Sequence, residues 1–188
     1  MRPVFITLAH WVHQLALSLW LGGILIIGAV VAPSVFGTAR AAGDTQSGMP
    51  LFDFAGQVMT EAFRRFNWVV LAAGALMLIC GLASGLPAPV CRKGVLARAA
   101  LTAVAWAGAA WLTFGLFPQL LEARAAGNDA AFKSMHETYS MGFKAQMFLL
   151  LAIAAVTAWI EHGKRLATDA RTERVNVNLP GVKPVSAG

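Results

Sequence analysis

The chain has 188 residues, of which 57% are hydrophobic and only 13% charged, and its mean hydropathy is +0.63. Soluble domains carry about 25% charged residues, so this composition excludes an ordinary water-soluble enzyme and points to a small polytopic membrane domain. The net charge of +6 does not indicate a nucleic-acid-binding face, because the basic residues fall in short groups between apolar runs, as in retained cytoplasmic loops.

The first element, Val4 to Val31, contains no charged residue. A hydrocarbon core needs roughly 20 apolar residues, so this run reads as a transmembrane helix. Arg2 and the later Ala39-Arg40-Ala41 loosely imitate a cleaved signal peptide. The apolar region of such a signal is only about 7 to 15 residues, which favours a retained span. Pro33 closes the run, and Gly37 to Pro50 has the small, polar composition of a loop. Leu51 to Phe66 then places Phe52, Ala55, Val58 or Met59, Phe63 and Phe66 at spacings of three or four, with Asp53, Gln57, Glu61, Arg64 and Arg65 on other faces. That pattern predicts an amphipathic helix.

The second span runs from about Asn67 to Leu86, and its Gly81 and Gly85 make a GxxxG pair suited to close helix packing. A basic loop follows with Arg92, Lys93 and Arg98. The third span covers roughly Ala99 to Phe117, ended or kinked by Pro118, and Gln119 to Ala126 can continue as a helix. Gly127-Asn128-Asp129 predicts a turn. From Ala130 one long helix begins amphipathic and becomes wholly apolar from Met147 to Ile160, the fourth span. Gly163 to Gly188 has mixed charge and little periodicity, and reads as a flexible cytoplasmic tail. The domain division is therefore 1–162 for an all-α, four-helix transmembrane bundle with amphipathic extensions on the external side, and 163–188 for the tail. Cys80 and Cys91 form no CxxC motif, and neither a disulfide nor a zinc site is expected.

The order of these pieces carries a resemblance. His13, Trp20-Leu21-Gly22-Gly23 and Ala32-Pro33-Ser34-Val35-Phe36 come first. Ala55-Gly56-Gln57-Val58 and Phe63-Arg64-Arg65-Phe66-Asn67 follow, then Phe117-Pro118-Gln119-Leu120, and finally Phe132 to His136 with Tyr139, Ser140 and Gln146. Together they resemble the transmembrane protein 205-like family (domain of unknown function 4149), which implies a bundle of four membrane helices and no assigned biochemical activity. The first helix alone also resembles the copper resistance D family and, more distantly, membrane-bound protoporphyrinogen oxidases that carry haem. In both, a histidine precedes a tryptophan and glycine in an early helix. That match stops after Gly23.

Two sets of residues are candidates for chemistry. His10 and His13 lie three apart on one helix, about 60° around it. They read as interfacial side chains bonded to water or headgroups, with a copper site or a haem ligand as the alternative. The even number of spans places Glu161 and His162 on their side and His136 on the other. The second set is external: Asp53, Glu61 and Arg65 before the second span, and His136, Glu137 and Lys144 before the fourth. It reads as a solvated, salt-bridged face or as the lining of a small pocket. Lys144 sits beside the apolar run and must snorkel or find a carboxylate.

No HExxH, GxSxG or phosphate-binding glycine loop occurs. The expected function is accordingly that of a non-enzymatic bacterial inner-membrane protein, a small-molecule or stress-related permeability factor with no resident cofactor. The alternatives are a haem- or copper-binding redox or resistance protein and a structural helper. The expected partners are the lipid bilayer, a second copy or a larger membrane complex, and no nucleic acid.

Nine of the 15 basic residues fall on the side of the termini and six on the other, which places both termini in the cytoplasm. Reporter fusions at Gly43 and Asn128 should therefore both score as external. A cytoplasmic signal at both would overturn the orientation.

Overall fold

In the computed structural model, residues 2–41, 51–85 and 92–177 are described. All of them are helical apart from one turn. The elements are α1 (Arg2–Ile26), a π-helical turn (Ile27–Val31), α2 (Ala32–Ala41), α3 (Leu51–Gly85), α4 (Arg92–Ala110), a second π-helical turn (Trp111–Leu116), α5 (Phe117–Ala125) and α6 (Asp129–Val177). Four spans result, Val4–Ala41, Asp53–Ser84, Arg92–Ala125 and Asp129–Ala170, each long and apolar enough to cross a membrane. They have 32 to 42 residues; at about 1.5 Å per residue, every one exceeds a roughly 30 Å hydrocarbon core.

Pro33 does not end its helix, contrary to expectation, and at Pro118 the helix continues through Ala125, as the reading of Gln119 to Ala126 allowed. Proline lacks an N–H and its ring clashes with the carbonyl four residues back. Here that carbonyl belongs to Ala29 or Phe114, inside a π turn in each case. The wider turn moves the bonding partner. Ala32 N–H reaches the Ile27 carbonyl and Phe117 N–H reaches the Leu112 carbonyl, so the last five-residue bond lands on the residue just before each proline. The helix therefore continues through Gly37 to Ala41, where a loop was expected. Residues 42–50 lie outside the described residues.

Two further boundaries differ from expectation. The third span starts at Arg92 rather than Ala99, which moves Arg98 out of the expected basic loop and into a helix. The fourth helix runs to Val177, fifteen residues beyond the point where the tail was expected. Extending an existing helix avoids the cost of nucleation. The side chains there also comply: Lys164 Nζ bonds Glu161 at 2.7 Å, and the Thr168 hydroxyl donates to the Lys164 carbonyl at 3.0 Å. Residues 178–188 and Cys91 lie outside the described residues.

The turn between the third and fourth spans is built as expected at Gly127. This glycine takes φ 65°, its N–H bonds the Arg124 carbonyl, and Asn128 N–H bonds the Ala123 carbonyl, a Schellman closure. Asn128 Oδ1 then accepts from Ala131 N–H at 3.1 Å and caps α6.

The bundle centre is made of small residues around one large one. Ala16, Ala73, Ala105 and Ala109 surround Trp20, which is wholly buried, with Met77, Leu150 and Ile153 beside it. Trp11, Ile79, Val104 and Phe148, one from each span, are exposed, as lipid-facing side chains should be. Helix packing in lipid depends on close backbone approach, and Gly23 and Gly74 provide it. A β carbon at Gly23 would overlap the Phe66 ring, and one at Gly74 would overlap Trp106 and come 3.1 Å from Trp20. Gly22 has nothing within 4 Å. Gly23→Val should therefore lower the thermal midpoint in detergent, by about 1–3 kcal/mol of overpacking, whereas Gly22→Val should not. Equal melting of the two variants would refute this packing.

Candidate functional site

The half of the bundle that holds the termini is closed. Here α1 packs along α3 and also touches α6. Ala9, His13, Ala16, Leu17, Trp20 and Ile24 form the buried stripe of α1. His13 is thus wholly buried rather than at a hydrated interface, because small Ala9 and Ala16 and the bare Gly81 opposite let the helices shut water out. His13 Nδ1 lies 3.0 Å from the Met77 carbonyl oxygen. A carbonyl can only accept, so Nδ1 carries the hydrogen, and the neutral ring is left with an acceptor lone pair at Nε2. That atom is buried without a partner.

Arg98 meets the same point. It is 2% exposed, its Nη2 donates to the Gly81 carbonyl at 2.6 Å, and the Ser84 hydroxyl donates to that same oxygen at 3.2 Å. A β carbon at Gly81 would stand 3.2 Å from His13 Nδ1 and 3.6 Å from Arg98 Nη2, which shows how near the two side chains are. Arg98 Nη1 is buried with no hydrogen bond. Of the other residues singled out, His10 Nδ1 lies 3.8 Å from Glu161 Oε1, and His162 is exposed. The neighbouring guanidinium makes the His13 site a poor one for a metal cation, and the described residues bring no three His, Cys, Asp or Glu together.

The other half is open. A cavity of about 540 Å³ is lined by the end of α1, the first π turn, α2, α3, α5 and α6. Its exposed lining residues are Leu25, Gly28, Ala29, His136 and Lys144, all on the first and fourth spans. The mouth of this cleft therefore lies between those two spans. The cause is in the packing: beyond the π turn, α2 leans on α3, and the first span parts from the fourth. The back wall is aromatic. Phe63 meets Phe143 edge-on at 5.4 Å and Tyr139 at 6.0 Å, with Phe117 5.9 Å from Tyr139. The Tyr139 hydroxyl donates to Asn67 Oδ1 at 3.2 Å.

The external residues expected to cluster are only partly brought together. His136 and Lys144 line the cleft. Asp53 stands at its edge through Arg124, whose Nη2 lies 3.3 Å from the Asp53 carbonyl and 3.8 Å from its carboxylate. Glu61 instead bonds Arg65 at 2.7 Å and also Arg64, on an exposed face. Glu137 is exposed. Two residues central to these sites, Arg98 and Arg124, were not anticipated. The signal for both is helical spacing once the third span starts at Arg92. Val95, Arg98, Thr102, Ala105 and Ala109 form one buried stripe, and Leu116, Leu120 and Arg124 continue at intervals of four.

A family described as "Domain of unknown function (DUF4149)" matches residues 15–129. No curated protein and no solved structure matches the chain.

Arg98 is a cost to the fold, since a buried charge short of partners is expensive in a membrane. Replacing such a group by an apolar one of similar size is often neutral or stabilising. Arg98→Met should therefore melt at or above the wild-type temperature in detergent. A drop of several degrees would show that the guanidinium holds the bundle together.

Proposed function

The chain belongs to the DUF4149 family, and we propose that it is a non-enzymatic permeability factor of the bacterial inner membrane, with both termini cytoplasmic, that takes small amphipathic molecules from the bilayer. The observation that carries this reading is the cleft, which combines an apolar interior with a mouth between two lipid-facing spans. Its volume lies within the roughly 300–1,000 Å³ typical of small-molecule sites.

The polar groups in the cleft are engaged in ways that suit binding rather than catalysis. The Thr60 hydroxyl donates to the Gly56 carbonyl at 2.8 Å, and the His136 ring stacks on Phe132 at 5.8 Å, so this pair presents no activated nucleophile. The resemblance to transmembrane protein 205-like proteins supports the same reading.

The test uses a neutral, diazirine-bearing long-chain alcohol in phosphatidylcholine vesicles that contain the protein. Saturable photolabelling at cleft residues is expected in the wild type and should disappear in Gly28→Phe. Gly28 lines the cleft and a β carbon there meets nothing within 4 Å, so a phenylalanine can be placed at the mouth without a clash at its β carbon. Gly22→Phe, equally open but outside the cleft, should label as the wild type does. Unchanged labelling of Gly28→Phe would sink the proposal.

A further inference from the structure

We infer that the cleft selects anionic single-chain amphiphiles, the simplest being a long-chain carboxylate taken from the bilayer, with the acid group held by Arg124 and Lys144. The inference rests on the cleft being a binding site and adds the chemistry of what it takes. Its lining includes Arg124, Lys144 and His136 but no carboxylate. Two cations approach one apolar cleft from different helices, and their positive charge is only weakly offset, by the Asp53 carboxylate 3.8 Å from Arg124.

Arg124 is available for an acid group. Gly56 makes room for its guanidinium, since a β carbon there would lie 2.8 Å from Nη2 and 2.9 Å from Nη1. Its contact with the Asp53 carboxylate is loose, at 3.8 Å, and Asp53 is 61% exposed. An exposed pair of that kind holds its members weakly. Lys144 has no carboxylate within 4 Å among the described residues. It precedes the wholly apolar run that starts at Met147 by less than one turn, which places its ammonium at the level of the headgroups. Both cations line the cleft, so an anionic group that enters it is attracted by both, while an attached chain lies against Phe63, Phe143 and Met147. A zwitterionic head would bring its own cation against Lys144, and a small free anion would leave the apolar wall unused.

The experiment compares diazirine-bearing palmitate with the matched alcohol in phosphatidylcholine vesicles that contain the full chain. Wild type should label with the acid about tenfold more efficiently, as a charge-assisted contact implies. Lys144→Gln with Arg124→Gln should erase that preference and leave alcohol labelling in place, while Lys144→Arg with Arg124→Lys should retain it. Excess unlabelled palmitate should compete, and inorganic phosphate should not. Equal acid and alcohol labelling of the wild type would overturn the charge selection and leave the cleft reading intact. Competition by phosphate as effective as by palmitate would replace the amphiphile with a free-anion site. Labelling with neither probe would fail the cleft reading itself.

Discussion

Inside a bilayer every backbone polar group must find its partner within the protein, and in this chain the constraint bites hardest at Pro33 and Pro118. Each proline removes one helical donor. The answer is the same in both spans: a π turn hands its last bond to the residue before the proline, and the helix goes on. Much of the distal architecture depends on those two turns. Gly28 and Ala29 of the first stand at the mouth of the cleft, and Leu112 and Leu116 of the second pack into the aromatic cluster behind it.

The bundle is consequently asymmetric along its axis. Near the termini the first span is a regular helix held against the second by Ala9, Ala16 and Gly81, and the interior is tightly packed around Trp20. Beyond the π turn the first span leans on the second and leaves the fourth, and the gap is the cleft. The two halves also hold charge differently. Arg98 is enclosed beside His13 and bonded to a backbone carbonyl, whereas Arg124 and Lys144 sit where a molecule from the bilayer can reach them. The enclosed cation is walled in by packing, and the other two line an open cleft.

Much of this was legible in the residues. The four spans follow from apolar runs too long for anything else, and the turn at Gly127-Asn128 follows from the only residues nearby suited to a left-handed φ and a helix cap. The candidate site was legible only in part. His136 and Lys144 stood out because a histidine and a lysine next to an apolar run are unusual. Glu61 and Arg65 looked similar, but they satisfy each other within one helix turn and do not meet the cleft. Arg98 was hidden by a boundary: with the third span begun at Ala99, it looked like a loop residue. His13 was hidden by its neighbours, since nothing in α1 alone shows that Gly81, on another helix, leaves room for an imidazole.

By itself, then, the sequence determined that this is a membrane protein of four helices, because hydropathy and span length are local properties of a run of residues. It also supplied the parts of the cleft, a glycine-containing apolar stretch, phenylalanines and two cations, without saying that they meet. That meeting was decided by tertiary structure. Whether a proline ends a helix depends on how the preceding turn is bonded, and whether two spans close or part depends on which neighbour each leans against. Both are set by packing between helices distant in the chain, which no single stretch of residues contains.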